Sequence, residues 1–444
     1  MARSVRGTLV CLLLCLTGLL MAEESSETAE MWRRTILYGI DSQILEIIGK
    51  LKASADPSFT ADLVTVLKES RVNAVRKAIL ELFREQNVKE GESAARGILE
   101  GWQDVQGDLL AQTVIYLDGL GAVGLEDTYA ELMKNTDSSV SSSAIRAVGR
   151  SKNPKLVKVL FDRLDDPEFP EARKPEILLA LGDLGSKEAV ERLMKLVESR
   201  DTEKVWRMYA ADSLGKIGDD KALPVLKGVF DEEDALLKAY AATALSHFNL
   251  PDVLDVLLQC LKEENWKVRV QAAKALAQPG AAKALPMLEF KAEFDPEKTV
   301  KTEAIRAITE IDGGDAEAFL SGLVRNAKAP LENRENALRG LWKRNPTLTL
   351  DDAKEILADK SVGLDLKPAQ MVGRVLSQVD GNGLEGIYAA FLDMKDPAMR
   401  AYGIRGALRN RNDGLKERIK ALSTADADSA VRVEALRCIK KLGW

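Results

Sequence analysis

A four-position motif recurs along almost the whole chain: an aliphatic or related residue, Ala four later, a small residue at seven, and Leu, Ile or Val at eight. Val140, Ala144, Ala147 and Val148 form one copy; Val268, Ala272, Ala275 and Leu276 form another; Val300, Ala304, Ala307 and Ile308 form a third. Looser copies start at Val72, Leu110, Arg173, Trp206, Leu237, Asn333, Pro368, Met399 and Val431. The steps between starts are 38, 30, 33, 33, 31, 31, 32, 33, 35, 31 and 32 residues. A constant period of this length means one supersecondary unit stacked on itself. No single unit can bury its apolar face alone, so neighbours share one continuous core.

Offsets 0, 4, 7 and 8 fall on one face of a helix. Asp118 and Ala407 are the exceptions to the aliphatic rule at offset 8. Offset 7 is mostly small (Ala147, Ala180, Ser213, Ala244, Ala275, Ala307, Gly340, Gly406, Cys438), so a neighbouring helix can approach closely. Three residues before the motif stand Glu69, Asp137, Glu203, Asp234, Asn265, Glu297, Asp365, Asp396 and Asp428, read as N-caps or dipole partners. Gly149, Gly182 and Gly215 read as C-terminal stops. A second amphipathic run precedes each capped helix, as at Leu156–Leu164, Ala189–Val197, Val253–Leu261 and Leu384–Leu392. The unit is therefore helix, turn, capped helix, turn. No stretch alternates with the period of a strand.

The run from Ser213 through Gly215, Ile217, Gly218 and Leu223 to Lys227, followed by Leu237–Leu245, resembles a short HEAT-type repeat of the phycobilisome-lyase subtype. Leu181–Val190 and Val268–Leu276 resemble it equally. The resemblance covers residues 56–444. It implies an all-α fold, an α-solenoid wound as a right-handed superhelix of about twelve HEAT-like two-helix repeats. The same repeat serves binding proteins and enzymes, so fold alone does not choose a function.

Met1–Thr8 carries Arg3 and Arg6, and Leu9–Met21 is apolar but short for a membrane span. This reads as a cleaved export signal over 1–22, giving a secreted or periplasmic chain with no transmembrane segment in its mature form. Residues 23–55 read as an acidic linker with two N-terminal capping helices, Trp32–Tyr38 and Ile44–Leu51. Residues 56–444 are the repeats, with an insertion around Asn87–Asp108 and a looser zone at Asn345–Lys367. Cys11 and Cys15 leave with the signal. Cys260 and Cys438 lie several repeats apart, too far for a disulfide, and read as buried thiols.

The net charge of −6 argues against nucleic acid as a partner. One histidine, His247, excludes a two-His metal motif, and there is no Cys-x-x-Cys pair, phosphate loop or nucleophile elbow. Asp380–Glu385 and Asp312–Asp315 read as glycine turns between repeats, not cation loops. No catalytic residue, metal site or cofactor is expected. The positive feature lies at offset 6, where later repeats place Lys274, Arg306, Arg339, Arg374, Arg405 and Arg437. Offset 10, one turn on, adds Lys343 and Arg409. In a HEAT-like superhelix the second helix lines the concave wall, so these eight residues form a candidate partner-binding stripe for an acidic or anionic partner. The competing reading is a structural ion-pair ladder. Offset 1 is also basic (Arg207, Lys238, Arg269, Lys301, Arg334, Arg400, Arg432) and reads as pairing with the capping acids of a neighbouring repeat. Trp102, Trp206, Trp266 and Trp342 are candidate contact aromatics or packing residues.

The leading expectation is a non-catalytic exported scaffold that binds a protein or other macromolecule in its concave groove. The alternative is a lyase-like or other HEAT-fold enzyme, or a chromophore-handling protein, and bound chromophore in purified material would reveal the last. The oligomeric state is open. If the export reading holds, mass spectrometry of the protein from its native compartment should place the N-terminus near Glu23. Retained Met1–Met21 in a membrane fraction would refute it.

Overall fold

The structure is a computed structural model that describes residues 27–54, 56–359 and 365–444. The export-signal reading and the start of the acidic linker lie outside the described residues. The chain divides into two compact units, one ending at Asp219 and one running from Asp220 to Trp444. The described residues contain helices and turns and no strand. No described helix is long and apolar enough to cross a membrane.

Each unit is a stack of two-helix repeats. In the first, helices over 27–38 and at Asp41–Ser54 precede five second helices: Asn73–Glu85, Gly107–Gly119, Ser138–Arg150, Lys174–Leu184 and Lys204–Ile217. In the second, the second helices are Ala235–Leu245, Trp266–Ala275, Lys298–Glu310, Leu331–Arg344, Lys367–Leu376, Pro397–Asn410 and Ser429–Leu442. Each packs on the first helix of its own repeat and, within its unit, on the second helix of the repeat before. The motif residues are the core: Val140, Ala144, Val148, Val268, Ala272, Leu276, Val300, Ala304 and Ile308 are all fully buried.

Burial moves the motif in the first two repeats. Val75, Ile79, Leu82 and Phe83 form the buried face of one, and Leu109, Thr113, Tyr116 and Leu117 that of the next. The motifs therefore start at Val75 and Leu109, not Val72 and Leu110. Their N-caps, Val72 and Gln106, stand three residues earlier, as elsewhere. In this register Leu117 fills offset 8, so Asp118 is no exception. The expected insertion at Asn87–Asp108 is mostly ordinary repeat, since it contains the first helix Glu92–Glu100. The looser zone at Asn345–Lys367 is likewise mainly the helix Pro346–Ala358, which Asn345 caps by accepting from the Leu348 N–H.

The capping expectation holds for the short side chains and fails for glutamate. Asp137, Asp234, Asn265, Asp396 and Asp428 accept backbone N–H bonds from the first turn. Asp365 accepts from the Lys367 N–H at 3.0 Å. Glu203 and Glu297 occupy the position without a capping bond, and Glu69 ends the preceding helix. Asp and Asn match the reach to these amides, and an extra methylene carries the glutamate carboxylate past them.

Gly149, Gly182 and Gly215 do not stop their helices. All three lie inside helical segments, and Gly185 and Gly218, at φ 75° and 66°, supply the left-handed caps instead. Gly149 and Gly182 are sites of close approach. A Cβ on Gly182 would stand 2.7 Å from the Ser213 Cα of the next second helix, and one on Gly149 would stand 2.9 Å from the Ala180 Cα. Ser213 closes the same contact by donating its hydroxyl to the Leu178 carbonyl at 2.7 Å. Cys260 and Cys438 are free and buried, and desolvation raises their thiols to about 12 and about 11.

These contacts give opposite expectations for two glycines. Gly182→Ala should destabilise the first unit by about 1–3 kcal/mol through overpacking. Gly97→Ala should stabilise it by up to about 1 kcal/mol, because a Cβ there meets nothing within 4 Å and the helix gains propensity. Urea unfolding of both variants beside wild type checks the sign, and equal shifts would remove the close-approach account.

Candidate functional site

The expected basic stripe occupies one turn of successive second helices in the second unit. The structure brings most of its members onto carboxylates. Arg306 pairs with Glu303 at 2.8 Å, Arg339 with Glu335 at 2.9 Å, and Arg374 with the same Glu335 at 3.1 Å. Arg405 pairs with Glu434 at 3.3 Å, Lys343 with Glu310 at 2.6 Å, and Arg409 with Asp380 at 2.6 Å. Lys274 and Arg437 are exposed, and no ion pair involves them among the described residues. Eight cations thus face five carboxylates: Glu303, Glu310, Glu335, Asp380 and Glu434. At offset 6 the acids lie beneath the cations. Glu303 and Glu434 are 18% and 14% exposed, against 46% and 53% for Arg306 and Arg405.

The basic residues at offset 1 behave differently. They reach the carbonyls that end the first helix of their own repeat, not the capping acids of a neighbour. Lys301 donates to the Glu293 carbonyl, Arg334 to Val324, Arg207 to Val197, and Arg432 to Asp426 and Ala427. Arg269 donates to the Glu263 and Glu264 carbonyls from Nη1 and grips Asp295 from Nε and Nη2, both at 2.8 Å. Arg400 repeats the arrangement with the Met394 and Lys395 carbonyls and with Asp426. Lys238 pairs with Glu263. Glu263, Asp295 and Asp426 each stand five residues before the next motif start, where the next first helix has just ended. A cationic side chain there satisfies orphan carbonyls and joins two repeats at once.

Asp295 and Asp426, the acids of these two arginine clamps, are held ionised. Burial pushes the Asp295 carboxyl up, but bonds from Arg269, from the Glu297 N–H and from Lys291 outweigh it and leave its pKa lowered. The bond from Arg400 is the chief cause of the lowering at Asp426, which also outweighs its burial. A carboxylate with a depressed folded pKa adds stability above its unfolded value, and loses it as pH falls through the folded value.

Of the expected contact aromatics, Trp266 alone is well exposed, at 38%, while the Trp342 ring packs over Gly381. Sequence reading missed Phe290 and Phe294, exposed on the first helix Leu285–Phe294 with ring centroids 5.3 Å apart. Their i, i+4 spacing on the face away from Leu285, Leu288 and Ala292 was the available signal. His247 is exposed. Gly381 and Gly383 turn with positive φ, and Asp380 is committed to Arg409, as a turn between repeats requires. Among the described residues no group of three or more His, Cys, Asp and Glu converges as a metal would need.

The model of the family described as Spirochaete HEAT repeat protein matches residues 36–438, and the chain belongs to that family. Curated relatives include deoxyhypusine hydroxylase from Candida albicans, 29% identical over 185 residues, which are 41% of this chain and 54% of that protein. Deoxyhypusine hydroxylase from Drosophila pseudoobscura pseudoobscura is 31% identical over 106 residues, 23% of this chain and 35% of that protein. The chain thus spans about half the length of the first of these relatives and about a third of the second. Among solved structures, the complex of CpcE and CpcF of phycocyanin lyase from Nostoc sp. PCC7120 matches at 20% identity and a TM-score of 0.34, over 52% of this chain and 92% of that one.

The clamp makes a pH-dependent expectation. Wild-type stability should hold to about pH 4 and fall below it as Asp295 and Asp426 protonate. Arg269→Met should cost about 1–3 kcal/mol at neutral pH, because it leaves the buried Asp295 carboxylate with only Lys291 and the Glu297 N–H as partners. The variant should also lose less than wild type on acidification. Urea midpoints measured from neutral pH downward test this, and parallel profiles for the two proteins would sink the clamp.

Proposed function

From its membership of the Spirochaete HEAT repeat family, we propose that this chain is a non-catalytic exported scaffold that binds an acidic protein partner through the offset-6 row of its second unit. One observation carries the reading: how many N–H donors each arginine has left. Arg269 and Arg400 each direct four of their five donors into their own chain, so only one Nη2 N–H on each remains for a partner. Arg306 commits Nε alone, to Glu303, and Arg405 commits Nε alone, to Glu434. Arg437 and Lys274 commit none to an acid. The acids beneath Arg306 and Arg405 fix their positions and leave both Nη groups of each as a planar fork suited to carboxylate.

Uncommitted donors at Arg306, Arg405 and Arg437 suit a surface that reads an extended acidic segment, and the excess of cations over carboxylates gives the row a positive field within a chain of net charge −6. Export is supported by the basic start and apolar run of Met1–Met21. The hydroxylase and lyase likenesses offer an enzymatic alternative, which no cluster of metal-binding side chains among the described residues favours.

The test is Arg306→Glu combined with Arg405→Glu. Both sites are half-exposed, and losing each ion pair and setting a like charge beside Glu303 or Glu434 should cost about 1 kcal/mol per site with the fold retained. Capture of the partner from the exported compartment should fall by at least about tenfold, the equivalent of about 1.4 kcal/mol. Wild-type capture should weaken as salt rises. A folded double variant that captures the same partner undiminished would overturn the assignment.

A further inference from the structure

The helices Gly314–Arg325 and Pro346–Ala358 are the first helices of consecutive repeats in the second unit, and they pack on each other. Between them lies a carboxyl with an environment unlike that of the clamp acids. Asp352 is 2% exposed. Asp295 and Asp426, also buried, each take two N–H donors from an arginine. At Asp352 the Oδ2 has no hydrogen-bond partner, and Oδ1 meets the Arg325 Nε at 3.4 Å, on a side chain that is 47% exposed. Ser321 stands beside this carboxyl on the facing helix, and its buried Oγ is unpartnered too. Two oxygens of one helix interface are thus left unsatisfied, an arrangement that costs stability until a donor joins them.

Burial pushes the Asp352 carboxyl up, and Glu355 and Asp351 on its own helix add to the rise. Ser321 and Arg325 oppose it without outweighing it. Arg325 is shared with Glu355 at 3.3 Å, and Asp351 pairs with Lys354 at 3.3 Å. The other two helices packed on Pro346–Ala358 hold Arg344 on the Thr309 and Ile311 carbonyls and Glu317, and Arg374 on Glu335.

We propose that a proton on Asp352 joins the two first helices: Oδ2–H donates to the Ser321 Oγ, and the Ser321 hydroxyl donates to the Glu317 carbonyl one turn back. Without that proton the carboxylate only accepts and Ser321 has a single donor, so at most one bond forms and a charge stays buried. The joint therefore tightens on mild acidification, opposite in sign to the clamps. A carboxyl with a raised folded pKa adds stability below its unfolded value and loses it as pH rises through the folded one. The joined helices belong to the repeats that carry Arg339 and Arg374, but the joint needs no partner on that row.

The experiment is amide hydrogen exchange on the full chain from about pH 8 down to about pH 5, above the range in which the clamp acids protonate. Rates are corrected for the intrinsic effect of pH. Wild-type amides of Pro346–Ala358 should gain about fivefold in protection across that range, the equivalent of one buried hydrogen bond. In Asp352→Asn the amide donates to the Ser321 Oγ at any pH, so protection should be high throughout. In Ser321→Ala the gain on acidification should shrink. Circular dichroism should show all three proteins equally helical. A flat wild-type profile overturns the proposal. So does an Asp352→Asn profile parallel to wild type, because another group is then titrating. A Ser321→Ala protein that keeps the full gain also overturns it, because burial of the charge alone then accounts for the effect.

Discussion

Close contact between successive second helices is the constraint on which the rest of this structure depends. Where Gly149 meets Ala180 and Gly182 meets Ser213, two helix backbones approach with no room for a β-carbon. Such contact excludes water and gives the small side chains of the motif enough neighbours to act as a core. It explains a chain with so few aromatic residues: alanine, glycine and serine pack well only when backbones come this near. The first two repeats reach the same end differently. Leu82 and Tyr116 are large at offset 7, and Gly91 makes the space, since a Cβ there would lie 2.6 Å from the Phe83 ring and 2.8 Å from the Tyr116 hydroxyl.

Stacking fixes spacing, and spacing creates the clamp. Arg269 and Asp295 are 26 residues apart, as are Arg400 and Asp426, and Lys238 and Glu263 are 25 apart. Each pair bridges the start of one second helix and the end of the following first helix. The acid's position follows from the repeat length, so the same bond recurs at Lys238, Arg269 and Arg400. Where the acid is absent, as for Arg334, the cation still meets the Val324 carbonyl. The carbonyl contact belongs to the single repeat, and the carboxylate contact belongs to the stack.

What was legible in the sequence is what a single helix determines. The period, the buried face and the Asp and Asn caps depend on neighbours three or four residues away. The register of the first two repeats was not legible. The helix Gly107–Gly119 buries every residue from Leu109 to Leu117 except Ile115, so its apolar pattern fits two alignments equally. Gly149 and Gly182 resemble helix stops until the neighbouring helix is placed against them. The acids of the clamp were hidden for the same reason, and those of the basic row only in part: Glu303 and Glu335 meet Arg306 and Arg339 as their spacing within one helix suggests, whereas pairs between repeats could not be read. Glu434, for example, is three residues before Arg437 and looks like its partner, yet it pairs with Arg405 of the previous repeat.

These pairings sort the positive charge of the chain by depth. At offset 1 the guanidinium lies beside the ends of two first helices, where carbonyls and a carboxylate converge and water is excluded, and it is consumed by the fold. At offset 6 it sits mid-helix, where every carbonyl is already bonded within the helix, so only side chains can meet it: an acid and, for Arg339, Gln378 as well. The same residue type is thus structural or available according to its distance from a helix end. A HEAT repeat offers both positions in every unit, which is how an array can hold itself together with one row of arginines and present another.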